Sequence, residues 1–200
     1  MQSKNIRRVA AAALLAGLAG AAQAHTGHGT HSLMQGLVHP FGLDHLLAMV
    51  AVGVWSVSAL PRDKAWQGPG VFLLSLILSA ALSSDGFAVP FGEQGIALSV
   101  VLLGGLLMLA RQPVPATWGL GLVAAAAALH GLAHGAEAPA TGFAGYALGF
   151  LATTAALHIG GVMLGLGARR QFAERAGLAL GSLGAALSVA GLALFGQLAA

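Results

Sequence analysis

Apolar residues fill this chain in blocks, each near the ~20 residues that a helix needs to cross a bilayer, and short polar breaks divide them. Six blocks follow residue 32: Leu33–Leu60, Trp66–Ser84, Gln94–Ala110, Ala116–Gly135, Gly142–Ala168 and Ala176–Ala199. The pattern predicts an all-α membrane protein, a compact bundle of six transmembrane helices. Short connections favour antiparallel neighbours in such a bundle, and no second domain or soluble module is evident. Residues 1–24 read differently. Lys4, Arg7 and Arg8 form a positive start, Val9 to about Gly20 a short apolar core, and Ala22-Gln23-Ala24 a small-x-small site. That is the layout of a cleavable signal peptide; the alternative, an uncleaved seventh helix, has too short an apolar core. The expected organisation is a signal peptide (1–24), a His-rich periplasmic tail (25–32) and a transmembrane domain (33–200).

Composition removes other classes. The chain is 57% hydrophobic and 8% charged, with a mean hydropathy of +0.83. A soluble domain carries about a quarter charged residues, so this chain belongs in a lipid bilayer. Its pI near 10.2 does not signal nucleic acid, because the basic residues form no patch. Cysteine is absent, which excludes disulfides and thiolate ligation. Any metal must be held by nitrogen and oxygen, helped at most by a thioether such as that of Met49.

Charge placement sets the expected topology. Arg62, Lys64, Arg111, Arg169, Arg170 and Arg175 fall in the first, third and fifth loops, whereas Asp85, Glu93 and Glu137 fall in the others. Positive charge gathers on the cytoplasmic side of membrane proteins, so both mature termini are expected outside. The pairs Gly145/Gly149, Gly161/Gly165 and Gly177/Gly181 put small residues one turn apart, which lets helix backbones approach. They do not decide between a monomer and a homo-oligomer. Trp55, Trp66 and Trp118, near the inner helix ends, read as interfacial anchors.

Ionisable residues are rare in membrane spans and mark functional sites by default. His39-Pro40-Phe41-Gly42-Leu43-Asp44-His45 heads the first mature span. Pro40 removes a backbone donor and either bends the helix or marks its first turn. Asp44 and His45 can each face the bundle interior, or Asp44 can orient an imidazole from behind. His130 and His134 stand at i and i+4 near the outer end of the fourth span and share a face; Glu137 stays on that face if the helix continues past Gly135. Two clusters at one depth point to one site. Imidazole and carboxylate suit nickel, cobalt, copper or zinc. His25, His28 and His31 lie in a Gly/Thr-rich leader that either captures cations or is merely soluble. His158 lies deeper, either bonded to a nearby carbonyl or acting as an exit ligand or proton acceptor. Asp85 and Glu93 read as solvated loop charges that draw cations to the entrance.

The run His39-Pro40-Phe41-Gly42-Leu43-Asp44-His45-Leu46-Leu47-Ala48-Met49-Val50-Ala51-Val52-Gly53 resembles the defining motif of the HupE/UreJ family. His130-Gly131-Leu132-Ala133-His134-Gly135-Ala136-Glu137 resembles its second motif, and Gly149–His158 a third. The family comprises small bacterial membrane proteins of hydrogenase and urease systems, regarded as nickel or cobalt permeases. The resemblance implies a non-enzymatic secondary transporter of the inner membrane that carries Ni²⁺ or Co²⁺ from periplasm to cytoplasm. It implies metal contact at His39, Asp44 and His45, with His130, His134 and Glu137 beside them, no permanent cofactor, and a functional link to hydrogenase or urease maturation proteins. The alternatives are a membrane metalloenzyme, a haem protein using His45 and His130, and a periplasm-facing metal sensor or metallochaperone.

Overall fold

The structure is a computed structural model that describes residues 32–84, 87, 89–139, 141–172 and 175–199. The expected signal peptide, the tail histidines His25, His28 and His31, and Asp85 lie outside the described residues. Among the described residues all regular structure is helical. The α-helices are α1 (Ser32–Val38), α2 (Leu43–Ala59), α3 (Gln67–Ser84), α4 (Gly92–Met108), α5 (Ala116–Ala136), α6 (Phe143–Phe172) and α7 (Ala176–Ala199), with 3-10 turns at His39–Phe41 and Arg62–Lys64.

The expected continuous span Leu33–Leu60 is broken. The 3-10 turn separates α1 from α2, and the two segments meet at a 69° bend. Pro40 contributes no N–H, and Gly42 leaves the helical region at φ −50°, ψ 140°. With no water in a bilayer core, such irregular backbone persists only where protein covers it or a cavity solvates it. Among the described residues, four helices are long and apolar enough to cross a membrane, Arg62–Ser83, α5, α6 and α7, and the bent pair α1–α2 passes the same test only when its two halves are taken together. α4 is apolar but shorter, at 17 residues.

The core is built around α2. Residues Ala48 to Val57 of this helix are buried apart from Val50, and α2 packs against α6, α4 and α3. A helix that is apolar on every side belongs in the middle of a bundle. Glycines set the spacing: a Cβ at Gly53 would run into the His158 carbonyl, and one at Gly161 into the Val50 carbonyl, so α2 and α6 touch backbone to backbone. Gly36 and Gly149 do the same for α1 and α6. The Gly177/Gly181 pair does not pack in this way, since Gly181 faces open space; α7 instead meets α4 through Gly184 against Gly104. Trp55 also departs from expectation. It is buried over Gly119 as core packing, whereas Trp66 and Trp118 are about 70% exposed (68% and 71%).

Candidate metal centre

Histidine rings converge where α2 begins and α5 ends. The bend at Pro40 turns His39 back over the start of α2, so its Nε2 lies 3.0 Å from Nδ1 of His134, close enough for a hydrogen bond with the proton on either ring. The ring centroids of His45 and His134 are 4.2 Å apart, and those of His45 and His130 are 4.6 Å apart. One nitrogen from each of His39, His45 and His134 lies within 4.8 Å of the other two, a spacing that one ion can bridge. A helical turn cannot bring His39 and His45 together at that angle; the break between α1 and α2 does.

Hydrogen bonds fix which nitrogen each ring presents. Asp44 Oδ1 accepts from the His45 backbone N–H at 2.8 Å and lies 2.9 Å from His45 Nδ1. A carboxylate only accepts, so Nδ1 of His45 carries the proton and its buried Nε2, with no partner, presents a lone pair. Glu137 stands near His134 in a looser version of this pairing: its Oε2 is 3.4 Å from Nδ1, the atom that also meets His39, and Nε2 of His134 is buried without a partner. This carboxylate–imidazole pairing is the usual way in which a protein orients a metal-binding histidine. Helix α5 ends at Ala136, and Glu137 caps it, so the acid stands behind the ring and not beside it.

Two further histidines lie deeper. Ser99 Oγ donates to the Ile96 carbonyl, so it accepts from Nε2 of His130 at 3.1 Å. His130 is left with a bare, buried Nδ1. His158 donates from Nδ1 to the Thr154 carbonyl at 2.7 Å, and its Nε2 and the Thr154 hydroxyl are buried without partners. The neighbouring-carbonyl reading of His158 is therefore correct for one nitrogen and leaves the other unused. Between these two histidines stands Phe72, whose ring is 5.7 Å from His130 and 4.9 Å from His158.

A cavity of about 300 Å³ opens onto the cluster, lined by His39, Asp44, His45, His134, Glu93 and Gln197 among others. Glu93 is the chief correction to the sequence reading. It does not sit in a solvated loop but in the first turn of α4, half-buried in the cavity wall. Phe91, at φ 63°, turns the chain into that helix. Ser99, Phe72 and Gln197 were missed. Ser99 and Gln197 had a signal, as polar residues within apolar runs; Phe72 had none, because only the fold puts it between two imidazoles.

The family model described as HupE / UreJ protein matches residues 12–194, nearly the whole chain. The chain belongs to the HupE/UreJ family. Protein HupE of Rhizobium leguminosarum bv. viciae is 39% identical over 175 residues, which cover 86% of this chain and 89% of the relative. No solved structure matches. Membership of the HupE/UreJ family places the chain among membrane accessory proteins and not among enzymes.

Proposed function

We propose that this chain is a secondary transporter that takes up Ni²⁺, or Co²⁺, from periplasm to cytoplasm for metalloenzyme maturation. One observation carries the reading: four buried imidazoles, those of His45, His134, His130 and His158, each hold a nitrogen with no hydrogen-bond partner. An unsatisfied buried polar atom costs about 1–3 kcal/mol, and native proteins tolerate few of them. Four in one bundle make sense as lone pairs kept for a cation. His39, His45 and His134 would replace part of its water shell. Asp44 and Glu137 would orient the rings and offset the ion's charge, and His130 and His158 would receive the ion deeper in the bundle. The tail histidines His25, His28 and His31 would concentrate it outside.

The proposed setting is the bacterial inner membrane, with the signal peptide removed, six spans that include the short α4, and both mature termini periplasmic. The positive-inside rule supports this, because every Lys and Arg after residue 24 then faces the cytoplasm. No phosphate-cradling Gly-x-x-x-x-Gly-Lys-Ser/Thr loop occurs in the sequence. None is required, since a divalent ion moving inward gains about 4.6 kcal/mol per 100 mV, enough for roughly 2000-fold accumulation. The link to hydrogenase or urease maturation follows from the family.

The test is counterflow of radioactive nickel in proteoliposomes, with cobalt as competitor. Carrier-type exchange that is lost in His45→Ala and unaffected by removing ATP supports a permease. A tightly held ion that never exchanges across the bilayer would instead indicate a sensor or metallochaperone and overturn the proposal.

A further inference from the structure

The opposite end of the bundle carries a second polar cavity, of about 350 Å³, that the histidine site does not use. α2 runs from Leu43 to Ala59, so this end, at Ser58 and Ala59, lies about 20 Å from the His45 level at 1.5 Å per residue. Four chain segments meet there. Ser58 and Ala59 close α2, Arg111 and Gln112 follow α4, Arg169 stands in the last turn of α6, and Leu180 projects from α7. Two guanidinium groups thus face one opening, and among the described residues no carboxylate forms an ion pair with either.

The donors present define the ligand. Arg169 gives one N–H to the Val57 carbonyl, which fixes the side chain against the end of α2, and its remaining donors stay available because a guanidinium has five. Arg111 supplies a second fork and Gln112 an amide. Ser58 donates to the Val54 carbonyl, so it offers no proton to a ligand. Two arginines converging without an acid match a phosphate, which takes bidentate N–H donors better than any other common anion.

Position indicates where that phosphate comes from. The cavity opens among helix ends at the end of the bundle that also carries the exposed rings of Trp66, just before α3, and Trp118, in the first turn of α5. Such rings mark the headgroup layer of a bilayer. Met108, Leu109 and Leu183, each within one turn of a cavity residue along the chain, are exposed apolar side chains that an acyl chain can cover. Basic pockets between spans at this depth are headgroup sites in other membrane proteins. We propose that Arg111, Arg169 and Gln112 bind the phosphate of one anionic phospholipid, which ties the ends of α2, α4, α6 and α7 together.

Native mass spectrometry of the full chain, released from bilayers of mixed phosphatidylcholine and phosphatidylglycerol, tests this. The wild type is expected to retain one phosphatidylglycerol in preference to phosphatidylcholine. Arg111→Gln should lower that preference about tenfold, as expected for the loss of a direct charge-assisted bond to the phosphate, and Arg111→Gln with Arg169→Gln further. Arg170→Gln removes the same charge one residue outside the cavity and should lower it by no more than the severalfold of diffuse surface attraction. Equal losses in Arg170→Gln and Arg111→Gln would mean diffuse attraction and overturn the site. So would an unchanged preference in the double variant. A last arm adds inorganic phosphate to protein in pure phosphatidylcholine. Thermal stabilisation equal to that given by phosphatidylglycerol would mean a soluble-anion site and refute the lipid assignment. Arg169→Gln alone also loses its bond to Val57, so Arg111→Gln, whose unfolding temperature is measured in parallel, is the deciding variant.

Discussion

Asp44→Asn removes a charge while keeping the side chain's shape, so it isolates what the carboxylate does for His45. In the wild type, one oxygen holds both the ring N–H and the backbone N–H of that residue, at 2.9 and 2.8 Å. An ion on Nε2, across the ring, would sit about 7 Å from this oxygen, given metal–imidazole bonds near 2.0–2.1 Å. A −1/+2 pair at that separation is worth about 4.7 kcal/mol at an effective dielectric of 20 and about 1.2 kcal/mol in water. The Asp44 side chain is 25% exposed, so screening places the true value between these limits, about 1.5–3 kcal/mol. That equals a loss of roughly 10–100-fold in affinity, the range typical of carboxylates behind metal-binding histidines. Asn can also flip its amide and present N–H₂ to Nδ1, forcing the wrong tautomer and moving the result towards the larger figure. Equilibrium binding of ⁶³Ni²⁺ to protein in lipid nanodiscs measures it, with helix content and elution volume as checks on folding. Affinity within twofold of wild type would refute the view that Asp44 orients and charges this ring.

Uptake should weaken as the medium is acidified, because protons compete for the lone pairs that bind the metal; the metal's stabilising effect on the fold is thus present while the rings are neutral and lost as they protonate, and a pH series of radiometal uptake at fixed membrane potential tests this. Glu93→Gln should reduce nickel affinity two- to tenfold by removing charge from the cavity wall, whereas a purely solvated residue would leave binding isotherms unchanged. Gly161→Leu should lower thermal stability in detergent by at least about 1–3 kcal/mol, since overpacking forces the backbones of α2 and α6 apart. Gly181→Ala, facing open space, should change it by no more than about 0.5 kcal/mol; equal effects in the two variants would contradict the packing account.

Much of the architecture was written in one dimension. Membrane residence and the helical blocks follow from local composition, because a bilayer leaves a spanning chain few alternatives to a helix; α7 spans Ala176–Ala199, the residues that the apolar run marks. The positions of His39, Asp44, His45, His130 and His134 near helix ends could also be read from spacing. What they face could not. The 69° break between α1 and α2 brings His39 over His45, and α5 delivers His134 beside both; these contacts join residues 95 apart in sequence, and no local pattern encodes them. The same holds for Glu93, drawn from an apparent loop into the cavity wall, for Phe72 between two imidazoles, and for Trp55, an expected anchor that became core. In lipid, one apolar residue resembles another to the solvent, so hydropathy alone assigns depth but not direction. Direction is decided by which backbones can approach, and that depends on glycine contacts such as Gly53 against His158 and Gly161 against Val50, which exist only once the helices have packed.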